Sequence, residues 1–151
     1  MAARRTAFSL IEAIVVVVIL GALAFIAVPR LNFAALYRKQ AHTVAKKIVT
    51  DLRRTRTLAI SSAATNPTGF TLKITGSTCQ IVNDANGVTV DSYTIDSHIS
   101  CGSGTTMFGF GPLGNLRDGS SNELAVSDVD ESRTYTITVI SATGIVECTG
   151  G

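Results

Sequence analysis

The sequence FSLIEAIVVVVILGALAFIAVP, which runs from Phe8 to Pro29, decides the fold of this 151-residue chain. It is apolar except at Ser9 and Glu12, close to its start. A helix of about 20 apolar residues is long enough to cross the hydrocarbon core of a bilayer. The sequence therefore predicts a transmembrane helix over residues 8–29. Two arginines, Arg4 and Arg5, precede it, so the positive-inside rule places the N-terminus in the cytoplasm.

Glu12 is the feature of this stretch that a plain membrane anchor does not explain. An ionised acid within a membrane span costs about 2.5 to 3.5 kcal/mol on insertion scales, and such residues usually have a partner and a function. No Lys or Arg lies within one helical turn of Glu12 in the sequence. We therefore expect the counter-charge to come from another chain or from a newly made amino terminus.

The spacing of these residues resembles the N-terminus of type IV pilins and type II secretion pseudopilins. The resemblance is carried by Phe8, Ser9, Leu10, Ile11 and Glu12, followed by the apolar run and Pro29. It implies that a prepilin peptidase cuts between Ala7 and Phe8 and methylates the new amine of Phe8. It also implies that Glu12 is the assembly charge, which pairs with that amine on a neighbouring subunit, and that Pro29 bends the helix. The family usually has Gly before the cut, where this chain has Ala7.

A cleaved secretory signal is the alternative interpretation of the N-terminus. Arg4 and Arg5 would form its charged region, in the ordinary or the twin-arginine form, and Ala22-Leu23-Ala24 would be its cleavage site. The acid at position 12 is unusual in such a signal, and the helical pattern does not stop at Ala24. Both features favour the pilin-like interpretation.

Residues 30–63 have the pattern of an amphipathic helix. Apolar or small residues recur every three or four positions, at Ala41, Val44, Ala45, Ile48, Leu52, Thr55 and Ala59. No turn residue interrupts the pattern before Ser61. We therefore expect one helix from Phe8 to about Ala63, bent at Pro29, because proline removes one helical hydrogen bond and crowds the preceding turn.

The remaining residues, 64–151, predict a β-rich head. Asn66-Pro67-Thr68-Gly69 ends the helix. Seven strand candidates follow, at residues 70–74, 79–82, 88–93, 105–110, 123–127, 134–140 and 145–148. The predicted fold class is α+β, a long N-terminal helix packed on one small antiparallel sheet of six or seven strands. The predicted divisions are a leader at 1–7, an assembly helix at 8–29, a stem at 30–63 and the head at 64–151.

The later part of the head also resembles particular branches of the pilin-like superfamily. The segments Phe110 to Gly114, Thr134 to Val139 and Ala142 to Val146 resemble those of the H-type pseudopilins and the FimT-type minor pilins. In some FimT-type proteins, arginines implicated in DNA binding follow the final glycine of this pattern. Here that glycine is Gly144 and the next residues are Ile145, Val146 and Glu147, so those binding residues do not carry over.

The charge of the chain is unevenly distributed. Residues 30–56 hold eight basic residues and one acid, and the residues from 57 onward hold three basic residues and nine acids. A basic helix can bind DNA, so a DNA-binding minor pilin of a competence pilus is the second hypothesis. The basic residues are not interleaved with aromatic ones that could stack on bases. A solvated face, or one that contacts the acidic heads of neighbouring subunits, is therefore favoured.

Three cysteines, Cys79, Cys101 and Cys148, lie beyond the predicted anchor, in an oxidising compartment. We expect one disulfide and one remaining thiol. Sequence alone does not determine the connectivity. Cys79 with Cys101 is the first choice and Cys101 with Cys148 the second.

Other patterns that could carry chemistry are weak. Gly109 to Gly114 matches a dinucleotide-binding fingerprint, but Pro112 removes one amide and no helix is predicted to follow, so a structural bend is favoured. Cys79, His98 and Cys101 do not have zinc-site spacing, and His42 is predicted to be a solvated helix residue. The acids Asp128, Asp130 and Glu131 are a weak calcium candidate, with a plain turn favoured.

These observations predict a structural protein and not an enzyme, with no cofactor. No arrangement of Ser, His and Asp and no nucleophile elbow is visible. The resemblance implies a bacterial inner-membrane protein with a cytoplasmic N-terminus and a periplasmic head, which then enters a pilus or pseudopilus. The implied partners are other pilin or pseudopilin subunits, the prepilin peptidase and the inner-membrane assembly platform. The third hypothesis is a globular head held by an N-terminal helix that serves only as a membrane anchor. The sequence does not determine whether the chain belongs to a secretion system, a twitching or adhesive pilus, or a competence pilus.

Overall fold

The computed structural model describes residues 10–27, 33–102, 104–128 and 133–150. These residues form two helices and eight strands, which confirms the α+β class. The chain divides into two compact units, Met1–Phe33 and Ala34–Gly151.

The first unit contains helix α1, Leu10–Ala27, with the sequence LIEAIVVVVILGALAFIA. Its one acid, Glu12, lies in the first turn. Among the described residues, no helix combines the length and the hydropathy that a membrane crossing requires. Pro29 and its neighbours lie outside the described residues, so the predicted bend and the continuity of one long helix stay predictions.

The second unit begins with helix α2, Phe33–Ser61. The predicted apolar stripe is confirmed, because Ala41, Ala45, Ile48, Leu52, Thr55 and Ala59 are all fully buried. Thr55 fits among apolar neighbours because its hydroxyl donates to the backbone oxygen of Asp51 at 2.7 Å. The helix is followed by the predicted turn, in which the side-chain oxygen of Asn66 accepts hydrogen bonds from the backbone amides of Thr68 and Gly69.

The strands lie close to where the sequence predicts them, with one addition. They are β1 Phe70–Thr75, β2 Thr78–Asn83, β3 Thr89–Thr94, β4 Ile99–Cys101, β5 Thr105–Phe110, β6 Glu123–Asp128, β7 Thr134–Ile140 and β8 Ile145–Gly150. All seven predicted strands are present, and β4 was not predicted. β4 has only three residues, which is too short for an alternating pattern to be recognised.

The prediction of a single sheet is wrong, because the strands form two four-stranded antiparallel sheets. Their orders are β3-β2-β1-β5 in the first sheet and β4-β6-β7-β8 in the second. β5 pairs with β1 in full register, from Phe70 opposite Phe110 to Thr75 opposite Thr105. The chain then crosses to the second sheet, where β6 pairs with β4 and β7.

Helix α2 and both sheets contribute to one core. The first sheet contributes residues such as Leu72 and Phe108, and the second contributes residues such as Val126 and Ile137, all fully buried. These side chains belong to the same cluster as the stripe of α2. The apolar stripe of α2 is therefore part of the core of the head.

The glycine-rich segment after β5 is a turn, as the sequence predicts. The amide of Gly114 donates to the oxygen of Gly111 at 2.9 Å, and residues 115–128, which the structure describes, contain no helix. The carbonyl of Gly114 accepts a hydrogen bond of 3.0 Å from Nε of Arg56 on α2. Gly144 lies against the same carbonyl, since a Cβ added at Gly144 would be 1.9 Å from the Gly114 oxygen.

Gly144→Ala should therefore destabilise the head. The φ angle of Gly144 is +65°, which costs about 1 kcal/mol for a residue with a Cβ, and the clash with Gly114 adds to this. Gly76→Ala is the matched control, because Gly76 has a φ of +56° and open space around it. We expect urea denaturation to show a clearly larger loss of unfolding free energy for Gly144→Ala. Equal losses would show that the close approach at Gly114 is unimportant.

Candidate functional site: the exposed helix α1 and the basic face of α2

Helix α1 presents its apolar side chains to the outside. The large apolar residues from Leu10 to Phe25 are between 47% and 84% exposed. A contiguous apolar surface of this kind marks a site of contact with protein or lipid. Glu12 is the one charged residue of α1. The predicted cleavage position, Ala7 and Phe8, lies outside the described residues, so the processing site stays a prediction.

The basic residues of α2 contact the head. The Lys47 ammonium lies 2.9 Å from the centre of the Tyr93 ring, and Arg54 forms a salt bridge with Asp91 on β3. Arg53 donates to the backbone oxygen of Val146 at 3.4 Å, and Arg56 donates to Gly114 as described above. These contacts hold the helix on both sheets, which makes Lys47, Arg54 and Arg56 less available to a polyanion. The long contact of Arg53 uses one of its five N–H donors, so this guanidinium can still bind a further acceptor.

A small group of buried polar side chains lies where α2 meets the first sheet. Asp51 is 9% exposed, and its Oδ2 atom has no well-aligned hydrogen bond. Burial raises the pKa of the Asp51 carboxyl, and the nearby Tyr93 hydroxyl and the Lys47 ammonium only partly oppose this effect. Burial also raises the pKa of the Tyr93 hydroxyl. The sequence offered one signal for this group, an acid within a basic amphipathic helix.

The predicted disulfide is not formed in the structure, where all three cysteines are free. Cys79 and Cys101 are buried on different sheets, and burial raises the pKa of each thiol to about 11. The second choice, Cys101 with Cys148, is excluded by the strand order of its sheet. β4 and β8 are opposite edges, about 14 Å apart at the usual strand spacing, whereas a disulfide needs Cα atoms within about 7 Å.

The metal candidates are not assembled among the described residues. No group of three or more His, Cys, Asp or Glu side chains there could hold a metal ion. Asp128 is 3% exposed at the end of β6, whereas Asp130 and Glu131 lie outside the described part of the chain. His98 lies beside Asp96, at 2.8 Å, and not in a cluster with the cysteines. His42 is exposed as predicted, with its ring 5.4 Å from that of Tyr135.

Arg117 is a structural residue that the sequence did not reveal. Its guanidinium donates to the Thr68 carbonyl at 3.0 Å, to the Thr71 hydroxyl at 2.7 Å and to the Asp84 carboxylate at 2.7 Å. It lies over Gly109, where a Cβ would be 2.5 Å from Nη2. The first glycine of the apparent nucleotide fingerprint therefore makes room for an arginine of this chain.

Comparisons of the chain with family models, with curated proteins and with solved structures find no match.

Asp51→Asn should change how the stability of the head depends on pH. A carboxyl whose pKa is higher in the folded state makes the folded protein bind more protons, so the free energy of unfolding falls as pH rises from about 4 through the folded pKa. Asn cannot ionise, so the free energy of unfolding of the variant should not decrease in this way as pH rises. The variant should therefore be more stable than the parent at pH 7. Urea denaturation of the parent and the variant between pH 4 and pH 8 measures the free energy of unfolding at each pH.

Asp118→Asn is the control for this measurement, because Asp118 is an exposed acid of the head. It should leave the pH profile of the parent unchanged. If Asp51→Asn kept the parental pH dependence, the burial of this carboxyl would have no effect on stability.

Proposed function

We propose that this chain is a structural subunit, a minor pilin or pseudopilin, of a type IV pilus or a type II secretion pseudopilus. The observation that carries the proposal is helix α1, which is apolar on all sides, exposed, and charged only at Glu12. A helix that is hydrophobic all round needs an apolar environment on every side. Packed α1 helices of a filament supply that environment, and the bilayer supplies it before assembly.

Glu12 has a specific role in this proposal. Cutting before Phe8 creates an α-amino group with a pKa near 8 in reference compounds, about one helical turn from the Glu12 of the same chain. Between staggered helices, that amine pairs with the Glu12 carboxylate of a neighbouring subunit. An unpaired charge is costly in such a low-dielectric setting, so subunits in register are favoured over subunits out of register.

The membrane-bound precursor in this proposal rests on the sequence from Phe8 to Pro29, which extends beyond α1 at both ends. Prepilin peptidase and the inner-membrane assembly platform act on this precursor, and the head enters the periplasm. The head then joins the growing filament through its N-terminal helix. In the filament the head forms part of the outer surface, a role that requires no catalytic group or cofactor.

The DNA-binding alternative has less support. The basic side chains that suggested it, Arg53, Arg54 and Arg56, have partners within the head. The positions after Gly144 hold no arginine. We therefore place DNA binding behind the structural role.

Processing is the first test. We expect the full chain, made together with a prepilin peptidase, to lose Met1 to Ala7 and to gain a methyl group on the amine of Phe8, as read by intact-mass spectrometry. Ala7→Gly should raise the cleaved fraction, because the family usually has Gly at that place. Retention of the leader by both forms would count decisively against the proposal.

Incorporation is the second test. Glu12→Leu should still be cut but should lose incorporation into filaments, by about tenfold or more if at least 1.4 kcal/mol of pairing is lost. Immunoblots of sheared or co-purified filaments measure incorporation. Ile11→Leu is the control, since it keeps the acid and the apolar volume. Normal incorporation of Glu12→Leu would mean that α1 is only an anchor.

A further inference from the structure

Strand β8 is an edge of the second sheet and has one open side. It pairs with β7 and is the last strand in the order β4-β6-β7-β8. The carbonyl of Val146 accepts from Arg53 on α2, so it points away from β7. In an antiparallel pair the backbone groups of alternate residues point to the same side. The amide and the carbonyl of Cys148 therefore also face outward.

A groove of about 720 Å³ runs between this open edge and α2. Its floor is formed by Val49, Tyr135 and Val146, which are largely buried. On the helix side, the lining runs from His42 to Arg53. That distance is about 17 Å along a helix, which equals about five residues of extended chain. The groove is therefore long enough for one short strand.

The helix wall of the groove is positively charged. His42, Lys46 and Arg53 line it, and all three are exposed. Glu147 is the acid that lines the groove, on the β8 side. Val146 is buried toward the core, so the side chain of Glu147 points to the opposite face of the strand. An occupant lying along β8 would meet cations on the side of α2.

We propose that this groove binds an extended acidic peptide segment of a partner protein, which adds to β8 as a further strand. Main-chain hydrogen bonds to an edge strand give affinity in this mode, and alternate side chains give specificity. Carboxylates at every second position of the peptide would contact the cations Lys46 and Arg53. The proposal does not depend on the function of α1.

A peptide suits the groove better than a nucleic acid does. The outward backbone of Cys148 offers both an N–H donor and a C=O acceptor, and a peptide backbone carries the complement of both. Phosphate oxygens accept hydrogen bonds but donate none, so they leave the carbonyl without a partner. The cations alone would suit either ligand.

The alkylation rate of the Cys148 thiol reports whether the groove is occupied. Cys148 is exposed in the groove, whereas Cys79 and Cys101 are buried. The full chain in detergent is treated with iodoacetamide, and alkylation of each cysteine is followed by peptide mass spectrometry. The probe is a synthetic hexapeptide of alternating Glu and Thr. At saturation we expect it to slow alkylation of Cys148 by about fivefold or more, as mass action predicts for a largely occupied site. Unmodified Cys79 and Cys101 report that the head stays folded.

Three matched controls separate this proposal from simple charge attraction. A hexapeptide whose Glu residues are N-methylated keeps the carboxylates but lacks the amide donors that would face β8, and it should not protect Cys148. A hexapeptide with Lys in place of Glu should not protect it either. Lys46→Glu should abolish protection, whereas Lys73→Glu, an exposed charge reversal on β1, should preserve it.

The proposal would be overturned by any of three results. The Glu-Thr peptide gives no protection, the Lys peptide protects equally well, or Lys46→Glu leaves protection unchanged. An oligothymidylate that protects Cys148 as strongly as the acidic peptide would assign the groove to single-stranded DNA instead.

Discussion

The packing of the apolar face of α2 onto both sheets is the interaction on which the head depends. Buried residues of both four-stranded sheets and the apolar stripe of α2 belong to one core cluster. Burying one Ile or Leu side chain contributes about 1.5 to 3 kcal/mol, so Ile48 and Leu52 alone account for a large part of a typical domain stability.

The charged side chains of α2 orient the helix on the head more than they stabilise the fold. Exposed ion pairs such as Arg54 with Asp91 contribute at most about 1 kcal/mol, because water screens them. Arg53 reaches the backbone carbonyl of Val146 on β8, and Arg56 reaches that of Gly114 in the turn after β5. Such contacts select one rotation of the helix among those that would bury a similar apolar area. The basic residues of α2 suggest a polyanion site when only the sequence is considered. Their contacts with the head give another reason for their presence.

The elements of the head could be predicted from the sequence because their signals are local. The stripe of α2 has a helical period, and burial alternates along the six residues of β6 and the seven residues of β7. The division into two sheets could not be predicted, because it depends on β5 pairing with β1 and not with β6, which follows it in the chain. The same applies to the free cysteines and to Arg117 above Gly109, since both depend on which strands become neighbours. The groove beside β8 is likewise a product of tertiary packing.

Helices α1 and α2 differ in the one property that decides where a helix can lie. α2 has a polar face, so one side can be buried in the head while the other meets water. α1 has no polar face, so no single contact with a head could cover it, and its environment must be apolar all round. An acid on such a helix is costly in every apolar surrounding unless a cation is brought to it. In the proposed assembly, a partner that carries a positive charge at one defined height along α1 would remove that cost. A single carboxylate would then set the register, because the remaining contacts are interchangeable aliphatic side chains.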